Sequence, residues 1–249
     1  MAVKVQTIEF RALGRVDWDA AMREQERVAE ARARGECPDT VLFVEHEPVY
    51  TYGLRFRREN FRLGYDPSQP AYCGIPVRRA YRGGELTYHG PGQLAVYPIL
   101  RLPRGGQHLR HLIEFYQAVV IEVLRELGIA GFTRNDAPGV WTDRGKIASI
   151  GVGLRRGVTR NGFAINVETD LRAFEPIVAC GRDEPVVNIQ DFFDSARAFR
   201  VGTAHELPHQ RVHGSSGHRI SVDEVAGLVK KHFIRLSDAW LPTTEGLSP

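Results

Sequence analysis

Two side chains have the chemistry of acyl transfer. Cys180 sits in IVACGRDE, behind an apolar run and directly before a glycine. A thiolate is a strong nucleophile, but a free thiol is only a few per cent ionised at neutral pH, so a nucleophilic Cys180 needs a cation nearby. Lys146 is the one lysine between residues 5 and 229, in a chain where only Lys4, Lys146, Lys230 and Lys231 depart from a strong preference for arginine. An amine is compact and its pKa moves readily, whereas a guanidinium stays charged. Two readings of each residue stand open. Lys146 is a chance surface lysine or a chemical group, and Cys180 is an inert core thiol or a nucleophile. Paired, they make an acyl-transfer centre.

A third cluster is RGGELTYHGPGQ, residues 82–93. Its glycines let main-chain amides approach a ligand closely, and Thr87, Tyr88 and His89 add polar groups; the plainer reading is a tight β-turn with a core histidine. No Gly-Lys-Ser/Thr follows, so it is no phosphate loop, and it does not fit the dinucleotide fingerprint. His205, His209, His213 and His218 suggest a metal, but Pro208, Gly214 and Gly217 argue against the helix that would align them and no acidic ligands are arranged with them. No metal and no cofactor are expected. Cys37, Cys73 and Cys180 are too few and scattered for a disulfide framework. His46 reads as a strand-end residue or part of a pocket wall.

The elements that must hold these groups follow from pattern. Residues 3–10 alternate as a strand, Asp17 caps a helix that stops at Gly35, and 40–46 is a buried strand. An irregular, arginine-rich mobile loop is expected over 53–74, with strands at 75–79 and 94–100. The stripe Leu109, Leu112, Ile113, Tyr116, Val120 predicts a helix over 107–128. Turns at Asp143-Arg144-Gly145 and Arg155-Arg156-Gly157 predict a meander, 200–220 reads as a long loop, and a last helix is expected near 221–235. Hairpins without strict βαβ alternation point to an α+β fold, read as one domain over 1–249.

Composition fits this. The 249 residues are 43% apolar and 25% charged, as in ordinary globular proteins. The net charge of +3 is weak evidence for nucleic acid, and neither nucleic acid nor membrane is expected as a partner. No apolar run reaches the ~18–20 residues of a membrane helix, and MAVKVQTIEFRALG lacks a signal-peptide core. The expected compartment is the cytoplasm.

In order along the chain, HEPVYTYG, RGGELTYHGPGQLAVYP, GKIASIGVGLRRG, NGFAINV and ACG closely resemble the lipoyl(octanoyl) transferases, over residues 40–192. The resemblance implies the fold of the biotin/lipoate protein ligases, a mixed, mostly antiparallel sheet flanked by helices. It implies octanoyl (or lipoyl) transfer from acyl carrier protein to a lysine of lipoyl domains, those of 2-oxoacid dehydrogenase acyltransferase subunits and of the glycine cleavage H protein. Cys180 would be the acyl-thioester nucleophile and Lys146 its pKa-lowering, proton-shuttling partner. The acyl site would comprise Arg82, Gly83, Gly84, Glu85, Leu86, Thr87, Tyr88 and His89, with Ser149, Ile150, Gly151, Gly162, Phe163 and Ala164. Either Lys146 or His89 would take the proton of the acceptor lysine. Such partners are typically acidic, so arginines within 55–62 or 78–82 would steer them. Three positions depart from the family: Asn161 replaces a usual His, Ala179 a usual Pro before Cys-Gly, and Glu47 a common Pro. The competing readings are an ATP-dependent lipoate ligase, which has no need of Cys180, an amidotransferase moving octanoyl between proteins, and a non-catalytic acyl-binding module.

Overall fold

The structure, a computed structural model, describes residues 8–66, 68–103, 107–181, 183–194 and 219–240. Strand β1 (Ile8–Val16), helix α1 (Trp18–Arg34) and strand β2 (Asp39–His46) open it, with β2 parallel to β1. This single parallel pair makes the sheet mixed, as expected, and of the strand expected over 3–10 the described part starts at Ile8 and extends on to Val16. Its ladder to β2 runs from Ile8↔Asp39 to Val16↔His46 among the described residues. Helix α1 keeps its predicted ends. The Asp17 carboxylate accepts the Ala20 N–H at 2.7 Å, and Gly35 takes the left-handed conformation (φ +78°) that closes the last turn.

The main sheet continues beyond β2 with β7 (Gln93–Ile99), β11 (Val158–Asn166), β10 (Gly145–Arg155), β9 (Ala137–Thr142) and β8 (Phe132–Arg134), each antiparallel to its neighbour. Arg156 and Gly157, both at positive φ, join β10 to β11 by a two-residue turn whose twist suits a hairpin. A second sheet holds β4 (Ala71–Tyr72), β5 (Ile75–Arg79), β3 (Val49–Tyr52) and β6 (Leu86–His89). Strand β6 lies inside the glycine-rich segment, which is therefore more than a turn.

Period-two alternation divides the main sheet between two cores. Val41 and Phe43 of β2 face helices α2 (Gln107–Glu126) and α3 (Val222–Trp240), against Phe115, Tyr116 and Phe233. Leu42 and Val44 face α1, against Trp18, Ala21 and Val28. A third cluster joins Tyr50, Phe61, Tyr72, Leu86 and Tyr88 beneath the small sheet. It corrects the expected mobile loop over 53–74, because Phe61 is buried with its ring edge-on to Tyr50 and Tyr72. The loop expected at 200–220 lies outside the described residues except for its last two. No helix among the described residues is long and apolar enough to cross a membrane.

Candidate active site

A cleft of about 480 Å³ opens between β6 and the α1-facing side of β10 and β11. The sheet surface beneath it is poor in side chains, because Ser149, Gly151, Gly162 and Ala164 occupy the cleft face. The register Ser149↔Ala164 and Gly151↔Gly162 sets them side by side. Ile150 and Phe163 also border the cleft, but their side chains belong to the core under α2. Strand β6 alternates in the same way: Glu85, Thr87 and His89 line the cleft, while Leu86 and Tyr88 point into the third core. Of the expected acyl-site block 82–89, Arg82, Gly84, Glu85, Thr87 and His89 line the cleft, and within β6 they are alternate residues, as the strand period requires.

Arg82 has a different task from steering a partner. It is 7% exposed, and its guanidinium donates to the carbonyls of Gly83, Glu85 and Thr51 and to the Thr51 hydroxyl at 2.9–3.2 Å. It clamps the Gly83-Gly84 turn onto β3, and Gly83 N–H reaches Val152 O on β10. Arg55 and Arg57, in contrast, are exposed on the cleft rim.

Lys146 does not itself line the cleft, but an irregularity puts it on the sheet face that carries Ser149. Residues 146 and 149 would point to opposite faces of a regular strand, yet Lys146 pairs with Trp141 and Ser149 with Gly139, with a bulge between Lys146 and Ala148. Trp141 and Gly139 share a face, so Lys146 and Ser149 do too. The lysine is 6% exposed, its Nζ stands 5.1 Å from the centre of the Trp141 ring, and it has no hydrogen-bond partner among the described residues. Gly139 leaves room for its stem, since a Cβ there would come within 2.9 Å of Lys146 Cε.

Cys180 lies in the one-turn 3-10 segment Ala179–Gly181, and Gly181 borders the cleft. Both flanks of this segment are tied down. Before it, Val178 N–H donates to Asn60 O at 2.7 Å. After it, Glu184 accepts from Trp141 Nε1 and Arg134, both at 2.9 Å. Pro185 O then accepts Lys146 N–H at 2.8 Å, and Val187 N–H donates to Lys146 O at 3.0 Å. The strand that carries the lysine is therefore hydrogen-bonded to the chain five and seven residues beyond the cysteine. Cys73 is exposed and Cys37 half-buried.

His46, His89 and Asn161 were singled out in the sequence without their partners, and Trp18, Asn60, Tyr97 and Gln25 were not legible there. Trp18 stacks on His89 with ring centres 5.8 Å apart, and His46 Nε2 meets Tyr97 OH at 2.6 Å. Asn60 Nδ2 holds the Glu85 carboxylate at 2.6 Å. Asn161 sits at φ +57°, a conformation Asn tolerates better than most residues; its N–H donates to Gln25 Oε1 while its own Oδ1 is buried without a partner among the described residues. These groups come together from distant segments, and no local spacing marks them. No group of three or more metal-ligating side chains is present among the described residues.

Comparison with known proteins agrees with the geometry. Residues 17–206 match the family model described as the lipoyl protein ligase A/B catalytic domain. The chain is 39% identical to an octanoyltransferase of Pelobacter propionicus, over 94% of this chain and 98% of that protein. It is 44% identical to one of Geobacter metallireducens, over 69% and 76%. Among solved structures, a bi-partite lipoate protein ligase from Thermoplasma acidophilum superposes with TM-score 0.58 at 18% identity, covering 92% of this chain and 82% of that one. A biotin protein ligase from Leishmania major superposes with TM-score 0.50 at 11% identity, covering 94% and 76%. These two show the shared fold.

Proposed function

The chain belongs to the lipoyl protein ligase A/B catalytic family and is an acyltransferase of its octanoyltransferase branch; from that premise we propose the donor, the acceptor and the covalent route. Octanoyl (or lipoyl) passes from acyl carrier protein to Cys180 and then to a specific lysine of a lipoyl domain, in the cytoplasm, with residues 1–249 acting as one catalytic domain. One observation carries the reading. The Lys146 amine, buried and without a hydrogen-bond partner among the described residues, is brought by a bulge onto the same sheet face as Ser149, which lines the cleft that Gly181 borders.

The steps balance without ATP. The Cys180 thiolate attacks the thioester carbonyl, its new S–C bond forms as the carrier's S–C bond breaks, and the carrier thiol takes the proton Cys180 gave up. One thioester replaces another, so the exchange is near isoenergetic. The acceptor amine then attacks, an N–C bond forms, the Cys180 S–C bond breaks, and Lys146 Nζ passes the amine proton to the departing sulfur. A neighbouring ammonium that moved the thiol pKa from ~8.5 to ~7 would raise the thiolate fraction about fifteenfold at pH 7. Main-chain N–H groups of the glycine-rich loop would hold the oxyanion. The side-chain-poor strip of Gly151, Gly162 and Ala164 makes room for the chain, whose burial contributes roughly 0.8 kcal/mol per CH₂.

Intact mass after mixing with octanoyl-acyl carrier protein, without ATP, tests this. The expected result is one hydroxylamine-labile octanoyl adduct, absent in Cys180→Ser and passed on to a lipoyl domain. An adduct that forms only with ATP and free octanoate would replace the reading with a ligase.

A further inference from the structure

Hydrogen bonding alone fixes where the proton of His89 sits. Val187 O and Tyr88 O are main-chain carbonyls and can only accept, so the amide nitrogens of Asn166 and Gln93 face them, each at 3.3 Å. Asn166 Oδ1 then faces Gln93 Nε2 at 2.8 Å, which leaves Gln93 Oε1 for His89 Nδ1 at 2.6 Å. An amide oxygen only accepts, so Nδ1 carries the hydrogen, and Nε2 of the neutral ring is a bare lone pair. Asn166 and Gln93 are directly paired across β11 and β7, so strand register builds the relay. His89 lines the cleft with Nδ1 turned into this relay, and Nε2 has no protein partner among the described residues.

The groups facing this ring are Trp18 from α1, His46 from β2, Tyr97 from β7 and Arg82 from the turn before β6. Burial first, then the His46 and Arg82 charges, lower the His89 pKa to about 3, against a smaller opposing effect of Gln93. The ring stays neutral at working pH.

Its place in the cleft sets what it meets. Gln93 lies two strands from β10, which carries Lys146, about 10 Å at ordinary strand spacing. His89 is four residues along β6 from Glu85, whose carboxylate abuts Gly181, a span of about 13 Å. Both separations suit an extended eight-carbon chain attached at Cys180. His89 therefore belongs with the far end of that chain, and of the two candidates for the acceptor-lysine proton Lys146 is the one near the carbonyl.

We propose that the end wall of the slot is a hydrogen-bond acceptor, in which His89 Nε2, positioned by Gln93 and Asn166, receives a donor on the chain end, so that eight-carbon acyl groups bearing a terminal hydroxyl are substrates alongside the plain chain. The direction of the chain rests on the Cys180 reading above. The transfer itself is the same S–C exchange, and the hydroxyl is unchanged by it. An apolar end wall would reject such a chain by about tenfold to a hundredfold, the cost of an unpartnered hydroxyl.

Calorimetric binding of octanoate and 8-hydroxyoctanoate to the full chain, between pH 6 and 8, provides the test. In wild type the two acids bind within about threefold of each other, with no pH dependence. In His89→Phe the ratio of the two affinities changes, 8-hydroxyoctanoate losing about tenfold or more relative to octanoate. In Gln93→Glu the added carboxylate draws a proton onto the ring, so octanoate binding weakens as pH falls from 8 to 6; mere loosening of the strand would not produce that slope. The proposal is overturned if wild type disfavours the hydroxy acid about thirtyfold or more, if His89→Phe weakens both acids alike, if Gln93→Glu is flat with pH, or if neither acid binds. Loss of the Cys180 adduct with the binding ratio intact would overturn the transfer reading and leave the acceptor wall standing.

Discussion

Gly181 lays its bare α-carbon against the carboxylate of Glu85: a Cβ there would stand 2.5 Å from Oε2, at a backbone φ of +68°. The residue after Cys180 thus has two reasons to be glycine, conformation and space. Gly181→Ala is expected to cost about 1 kcal/mol of stability for the left-handed conformation and to push Glu85 off Asn60. Acylation should slow about tenfold, as the segment that carries the cysteine shifts. Removing the obstructing carboxylate in Gly181→Ala/Glu85→Ala should restore part of that rate, and strict additivity in the double-mutant cycle would contradict the contact.

Lys146→Met separates chemistry from stability. A buried amine without a hydrogen-bond partner is a burden on the fold, whereas methionine fills a similar volume beside Trp141 and Gly139. The variant should be as stable as wild type or about 1 kcal/mol more so in urea unfolding, while adduct formation falls a hundredfold or more. A clear loss of stability would mean that Lys146 is a structural residue.

Two buried histidines make stability fall in mild acid. Burial holds His46 at about 4 and His89 at about 3, whereas the unfolded chain protonates both near 6.5. Above that value neither state binds the proton and the contribution is complete. Below it the unfolded state gains protons that the folded state refuses, so stability drops until pH reaches the folded values. At pH 5 each histidine removes roughly 2 kcal/mol relative to pH 8. Urea midpoints at the two pH values measure this, and His89→Phe should lose about half of the difference. An unchanged difference would place the acid sensitivity elsewhere.

Arg55 and Arg57, exposed on the rim, should govern encounter with an acidic donor protein. In Arg55→Glu/Arg57→Glu, acylation by octanoyl-acyl carrier protein should slow about tenfold at low ionic strength, with the gap closing as salt shortens the screening length. A small octanoyl thioester should react as with wild type. Equal slowing of both donors would point to damage in the cleft instead.

Helix α1 with its Asp17 and Gly35 caps, the meander of β9, β10 and β11, and α2 were legible because each is specified locally, by caps, by two-residue turns or by a 3.6-residue stripe. The parallel pairing of β1 with β2 was not, since partner choice depends on a crossover that alternation does not encode. In the cleft, Lys146 stood out by its rarity and Cys180 by its glycine, while the segment 82–93 stood out by composition. The alternation within β6, which sends Leu86 and Tyr88 away from the cleft, required knowing that this glycine-rich stretch contains a strand. Trp18, His46, Asn60 and Glu184 act through partners 25 to 71 residues distant in sequence.

The bulge between Lys146 and Ala148 makes the site sensitive to counting as well as to chemistry. Lys146 and Ser149 share a face because β10 runs one residue out of step with β9 at that point. Inserting one residue between Val140 and Trp141 would leave every polar group in the chain intact, yet it would give Ile147 a partner, bring the strands back into step and swing the amine toward the apolar core beneath α2. The unmatched residue at 147 works as a spacer: for this pair of strands, one residue too many on β9 is as damaging as the wrong residue.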